Sequence, residues 1–316
     1  MSHPIPASIF RAYDIRGIYQ ETLTDEWAYL IGRSIGSEVL ASGQRRIAIA
    51  RDGRLSGPAL TQSLGDGIRA AGCDVVYVGM VPTPALYFAT YHFDDLNSGV
   101  MLTGSHNPGN YNGFKIVING VTLSGERIQA LYQRIVEGDL AEGAGDYEER
   151  EVLAAYQDAF LGTHTLSRPL KVVVDCGNGI AGVQAPQVLA ALGCEVVPLF
   201  ADVDGTFPNH HPDPGDLKNL QDLIACVKQE KADLGLAFDG DGDRVGVVTP
   251  SGAVIFPDIL LMALAEDMVK RQPGAKVIFD VKCTGALFDV IREAGGEPEM
   301  WQTGHSLIKA RMKETG

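Results

Sequence analysis

One pattern occurs three times along the chain and constrains the fold more than any other feature. Each copy has a β-branched run, a glycine-containing turn, an amphipathic helix ending near glycine, and a second strand. The first copy begins at Arg46-Ile-Ala-Ile-Ala-Arg-Asp-Gly53, passes through a helix over 57–71 and closes with Ala71-Gly-Cys-Asp-Val-Val-Tyr-Val78. The second begins at Lys171-Val-Val-Val-Asp-Cys-Gly-Asn-Gly179, with a helix over 182–192 and the ending Leu192-Gly-Cys-Glu-Val-Val-Pro-Leu199. The third begins at Lys276-Val-Ile-Phe-Asp-Val-Lys-Cys-Thr-Gly285, with a helix over 286–294 and the ending Ala294-Gly-Gly-Glu-Pro-Glu-Met-Trp301. The shared Ala-Gly or Leu-Gly ending is a helix C-cap followed by a strand. Three α/β units of one design imply three related α/β domains.

The segments between the copies agree with that count. Glu137-Gly-Asp-Leu-Ala-Glu-Gly-Ala-Gly-Asp146 is acidic and glycine-rich, so the first domain is expected to span 1–147. A connecting helix over about 148–161 leads into a second domain, 148–252. The third, 253–316, is left with a last helix over 306–314 and no strand after it, and so reads as incomplete. A net charge of -14 argues against nucleic acid as the partner but leaves room for a small phosphorylated ligand in a locally basic pocket. The five cysteines lack a C-x-x-C spacing and read as reduced core residues of a cytoplasmic protein. No secretory signal is visible, and the apolar run 259–265 is too short to span a bilayer, so no membrane partner is expected.

Two stretches carry chemistry. In Thr103-Gly-Ser-His-Asn-Pro108 an apolar run delivers Ser105 to the tip of a stiff turn, and a second strand-like run with Lys115 follows. A serine hydroxyl is a weak nucleophile that needs a base or a charge-stabilising neighbour, and His106 and Lys115 are candidates for either role. In Asp239-Gly-Asp-Gly-Asp-Arg244, between two apolar runs, three carboxylates alternate with glycine and can fold around one hard cation. All-oxygen ligands point to Mg²⁺ rather than zinc. A phosphate oxygen would complete the set offered by Asp239, Asp241 and Asp243. An EF-hand is excluded, because Arg244 stands where glycine is required and Pro250 where the bidentate glutamate belongs.

Together with Phe10-Arg-Ala-Tyr-Asp-Ile-Arg-Gly17, Gly113-Phe-Lys115 and Thr303-Gly-His-Ser306, these motifs stand in a familiar order. The chain resembles the α-D-phosphohexomutase family, most closely its bacterial phosphomannomutase/phosphoglucomutase branch, over essentially its whole length. The resemblance implies mixed sheets sandwiched by helices and a monomer that interconverts hexose 1- and 6-phosphates through phosphoserine and a 1,6-bisphosphate. Ser105 would carry the phosphate and, with Asp239, Asp241 and Asp243, hold Mg²⁺. Glucose 1,6-bisphosphate would act as activator. Arg244, Lys115 and Arg16 would supply positive charge to the phosphate. His305 and Lys115, with His106 beside the serine, would handle protons. Tyr13, Arg16, Lys282 and His305 would meet the substrate. Mannose or glucose phosphates are expected, with phosphoglucosamine mutase, a Mg²⁺-dependent sugar phosphatase and a non-catalytic phosphosugar-binding fragment as alternatives.

Family members continue with a Gly-Glu-x-Ser-Gly sugar loop and a fourth domain. Neither occurs in the 316 residues, so the expectation is a chain that holds phosphate and metal but turns over poorly. Two further features read as structural. Gly177-Asn-Gly-Ile-Ala-Gly182 fits the dinucleotide fingerprint, but the corresponding turns of the other copies lack it, which favours tight packing. His210 and His211 are adjacent and point apart, which favours an inter-domain loop over a metal site.

Overall fold

The computed structural model describes residues 5–315 as three successive α/β units. The first runs β1 (Ile15–Ile18), α1 (Asp25–Ala41), β2 (Arg46–Arg51), α2 (Gly57–Ala70), β3 (Asp74–Met80), α3 (Thr83–His92), β4 (Gly99–Leu102), β5 (Tyr111–Ile118), β6 (Val121–Thr122), α4 (Glu126–Glu137) and β7 (Tyr147–Glu149). Its sheet has the order β1-β5-β4-β2-β3-β7, with β6 on β5. β4, β2, β3 and β7 are parallel, while β5 is antiparallel to β4 and β1. Alternation along β2 sorts the two faces. Ile47 and Ile49 face the layer of α1, α2 and α4, and Ala48 and Ala50 face α3. α1 and α2 lie close because Gly32 and Gly67 are bare: a Cβ on either would fall 2.2 or 2.0 Å from a backbone carbonyl of the other helix. A glycine inside a helix costs roughly 0.5–1 kcal/mol, which that close packing offsets.

The second unit is α5 (Leu153–Leu161), β8 (Lys171–Asp175), α6 (Ala185–Ala191), β9 (Glu195–Leu199), α7 (Gln221–Glu230), β10 (Leu234–Phe238), β11 (Val245–Val248) and β12 (Val254–Ile255). Its sheet, β12-β11-β10-β8-β9, repeats the plan of the first, with parallel β9, β8 and β10 and an antiparallel hairpin at one edge. Val173 packs toward Leu223 and Val227 of α7, and Val172 and Val174 toward α6. The third unit is α8 (Pro257–Arg271), β13 (Lys276–Asp280), α9 (Ala286–Glu293), β14 (Glu297–Trp301) and α10 (His305–Thr315), with β13 parallel to β14. Phe279 packs there with Val269, Leu287 and Ile291. Among the described residues no helix is long and apolar enough to cross a membrane.

Two elements differ from the sequence expectation. The connecting helix over 148–161 begins only at Leu153, because residues 147–149 add an edge strand to β3 and Arg150 ties it down through Glu148 and Asp95. The helix over 182–192 opens as a 3-10 turn, Ile180–Val183, before α6. Gly182 lies there against the backbone of Ala201, where a Cβ would sit 1.9 Å from its carbonyl oxygen. The glycines of that apparent dinucleotide fingerprint are used for packing, since Gly179 abuts Gly240 in the same way.

Candidate active site

The two chemical stretches occupy equivalent places in the repeat. Residues 103–110 join β4 to β5, and 239–244 join β10 to β11, each the hairpin that follows the parallel strands. The base of the first hairpin pairs Leu102 with Phe114 and Met101 with Lys115, which fixes Lys115 beside the loop it supports. β1 pairs Arg16 with Gly113, and a Cβ on Gly113 would strike the Ile15 carbonyl at 2.1 Å, so glycine lets Arg16 in.

Ser105 is buried and has φ of +49°, a left-handed conformation that costs a non-glycine residue energy and is held only by its surroundings. Those surroundings are cations bound to the loop's own carbonyls. Arg54, fully buried in an ion pair with Asp52, donates from Nη1 to the carbonyls of Pro108 (2.5 Å) and Tyr111 (2.9 Å). Its Nη2 donates to those of Ser105 and Asn107, each at 2.7 Å. Arg16 Nη1 reaches the Gly104 carbonyl at 2.6 Å, its other amino group pairs with Asp14, and its Nε is buried without a partner. His211 donates to the His106 carbonyl. The Ser105 amide donates to Thr103 Oγ1 at 2.7 Å, and Thr103 in turn donates to Asp52.

The acidic loop meets the serine directly. Ser105 Oγ donates to Asp239 Oδ2 at 2.9 Å and lies 3.3 Å from His106 Nδ1. Gly240 makes the approach possible, since a Cβ there would be 2.4 Å from the Ser105 carbonyl oxygen. Asp239 Oδ1 accepts the amides of Asp243 and Arg244, which closes the loop on itself. Asp241 accepts from Thr83 Oγ1 (2.5 Å) and Lys115 Nζ (2.6 Å), and Lys115 also donates to Asp243 at 2.6 Å. Oxygens of Asp239, Asp241 and Asp243 all lie within 4.8 Å of one another, and Asp241 Oδ1 is buried without any partner. Burial, then the charges of Asp241 and Asp243, push the Asp239 carboxyl up to about 8. Burial also works against the Lys115 charge, but Asp241 and Asp243 hold its pKa above the ordinary lysine value. Three carboxylates around one ammonium are under-neutralised, and the orphan oxygen of Asp241 is where a hard cation fits. These residues can hold a metal.

The third unit closes the cleft. Tyr13 OH donates to the Thr303 carbonyl at 2.9 Å, and its ring lies against Gly304 and 6.4 Å from that of His305. Burial, then Lys309 and Lys115, depress the His305 imidazole, and burial, then Arg244, depress His106, so both favour the neutral form. Arg244 is half exposed in the cleft beside Asp243. Lys282 is the exception: it is exposed, and among the described residues only its backbone amide is engaged, by Asp280. Sequence reasoning missed Arg54, Asp52, Thr83 and His211. Only the Asp-Gly-Arg run after β2 offered a signal, because each copy of the repeat has an aspartate at or just past the end of its opening strand: Asp52, Asp175 and Asp280.

Comparison with known proteins agrees on the family. Residues 7–142, 154–252 and 256–316 match the phosphoglucomutase/phosphomannomutase α/β/α domains I, II and III in order. The chain belongs to the phosphoglucomutase/phosphomannomutase family. It is 61% identical over 312 residues to the phosphomannomutase/phosphoglucomutase of Pseudomonas aeruginosa, covering 99% of this chain and 67% of that one. It is 53% identical to a phosphoglucomutase of Neisseria meningitidis, covering 99% and 68%. A crystal structure of a phosphoglucomutase/phosphomannomutase family protein from Burkholderia thailandensis superposes with a TM-score of 0.97 at 54% identity, over 99% of this chain and 70% of that one. The chain thus spans about two thirds of the length of the relatives it matches.

Proposed function

We propose that this chain carries the phosphoserine and metal centre of a phosphohexomutase acting on glucose and mannose phosphates, the sugars in its relatives' names. Ser105 would bear the phosphate. The free hydroxyl of a hexose monophosphate attacks phosphorus, the P–O bond to Ser105 breaks, and the hydroxyl proton passes to a neighbouring base. Reversal through the other phosphate of the 1,6-bisphosphate restores the phosphoserine and leaves the isomeric monophosphate. The observation that supports this reading best is the 2.9 Å contact of Ser105 Oγ with Asp239, a member of the acidic triad.

Asp239, Asp241 and Asp243 would hold Mg²⁺, which would supply positive charge at the phosphate oxygens when bound. Arg244 and the free Nε of Arg16 add charge from the sides. Lys115, kept protonated by two aspartates, acts as a fixed cation and not as a base. His305, neutral and facing the cleft from the third unit, is placed to accept the sugar proton, and His106 to exchange one with Ser105 Oγ. Tyr13 orders the entrance by tying Thr303 to the first unit. The test is intact mass and peptide mapping before and after glucose 1,6-bisphosphate with Mg²⁺. One phosphate on Ser105, absent in Ser105→Ala, is the expected result, and no phosphate on the wild-type chain would overturn the reading.

A further inference from the structure

The repeat places an aspartate at or just past the end of β2, β8 and β13, the opening strand of each copy, and each one accepts the backbone amide two residues on: Arg54 to Asp52 at 3.0 Å, Gly177 to Asp175 at 2.9 Å and Lys282 to Asp280 at 2.6 Å. In the first unit the second oxygen binds Arg54, which clamps the serine loop. In the second unit the buried Asp175 carboxylate meets His210 Nε2 at 3.0 and 3.1 Å. His210 Nδ1 faces the His211 carbonyl at 3.0 Å, and its ring sits edge-on to Phe200. Each ring nitrogen faces an acceptor, and although burial works against the charge, those hydrogen bonds raise the His210 pKa and favour the protonated ring that pairs with Asp175. The next ring, His211, crosses to the first unit and donates to the His106 carbonyl, one residue past the nucleophile. The next carbonyl, that of Pro212, accepts the amide of Gly240 in the acidic loop at 3.2 Å.

We propose that His211, braced by the Asp175–His210 ion pair, is a positioning residue for phosphoryl transfer. It is the second unit's counterpart of Arg54, and it sets the register of Ser105 against the acidic loop. The strap of residues 210–212 is the piece that touches both loops through backbone groups, so it fixes their separation independently of any cation between the carboxylates. His211 acts through the His106 backbone carbonyl.

The proposal rests on the mutase reading for its kinetic test but carries a second readout that does not. Phosphorylation of Ser105 by glucose 1,6-bisphosphate is followed by intact mass in wild type, His211→Ala and His211→Gln, the last keeping an N–H near the position of Nε2. In His211→Ala the maximal rate falls about tenfold or more and the half-saturating concentration changes by less than about twofold, because position and not binding is lost. His211→Gln recovers the rate to within about threefold of wild type. Hydrogen exchange of the amides of residues 103–107 is measured on the same three proteins, and it rises in His211→Ala but not in His211→Gln. A wild-type chain that takes no phosphate sinks the mutase reading, and the exchange data still decide the strap. Unchanged rate and exchange in His211→Ala, a loss confined to half-saturation, or His211→Gln behaving like alanine each overturn the proposal.

Discussion

The hairpin loops of the first and second units stand at the same place in the same sheet plan yet are held by opposite means. The serine loop turns its carbonyls outward onto side-chain N–H donors, with Arg16, Arg54 and His211 taking those of residues 104–108. The acidic loop turns a carboxylate inward onto its own amides at Asp243 and Arg244 and sets its remaining carboxylates on Lys115, in a triad that can hold a metal. One repeat unit therefore yields a rigid nucleophile perch, and its copy yields an anion cluster that is unfinished without a cation. A serine held in a left-handed conformation requires such enforcement, whereas in the acidic loop a glycine, Gly242 at φ of +71°, takes the left-handed position without it.

Removing the enforcement should have the largest effect. Arg54→Met leaves Asp52 an uncompensated buried charge and strips four carbonyls of their donor. Breaking a buried ion pair of this sort costs about 3–5 kcal/mol, so chemical denaturation should show a loss of that size together with abolished Ser105 phosphorylation. A loss below about 1 kcal/mol would mean the loop holds its shape by itself, and the contrast between the two loops would collapse.

The acidic loop should respond instead to added divalent cation. Mg²⁺ at a hundred times its Kd should stabilise the chain by about 2.7 kcal/mol, and Asp241→Asn should lose most of that gain. With the Asp239 carboxyl pushed up to about 8, metal must displace its proton near neutrality. Titration calorimetry in buffers of different ionisation enthalpy should report net proton release at pH 7, and proton-neutral binding would contradict the crowded-carboxylate picture. Where the loops touch, Gly240→Ala should cost about 1–3 kcal/mol by overpacking, since its Cβ would fall 2.4 Å from the Ser105 carbonyl oxygen. Wild-type stability there, measured by denaturation, would mean that the loops do not meet so closely.

The centre of the site was legible from sequence because its signals are local. Ser105 and the Asp239-Gly-Asp-Gly-Asp-Arg244 run each announce their chemistry within six residues, and alternating strands with glycine-capped helices expose the three-fold plan. The supports were not legible. Arg54 acts on backbone carbonyls about fifty residues away and His211 on one about a hundred away, and a carbonyl leaves no mark on the residue that owns it. The same limit explains the edge strand at residues 147–149, where Arg46 and Asp95, both distant in sequence, anchor Glu148 and the neighbouring Arg150. Lys282 shows the converse: a lysine after a strand-end aspartate looks like a site residue, yet its side chain is left in solvent.

The smallest expected effect is a pH dependence that separates the two kinds of support. Burial lowers the Arg54 pKa, but a guanidinium starts so far above neutrality that Arg54 keeps its charge over the interval where a histidine titrates. The strap depends on His210. Burial works against its charge, but hydrogen bonding to Asp175, the His211 carbonyl and the charges of Asp175 and Asp222 raise its pKa above 6.5. A histidine whose folded pKa is raised contributes fully below its unfolded value and loses that contribution as pH rises through the folded one. Between pH 6 and the alkaline side of the raised value, stability should therefore fall by on the order of 1 kcal/mol, or roughly 2–4 °C in Tm. Exchange of the serine-loop amides, corrected for intrinsic base catalysis, should rise over the same interval. His210→Gln, which cannot be charged, should remove both slopes while leaving Arg54 in place. A slope that survives in His210→Gln would assign the titration elsewhere and leave the second unit's hold on the serine loop independent of His210's charge.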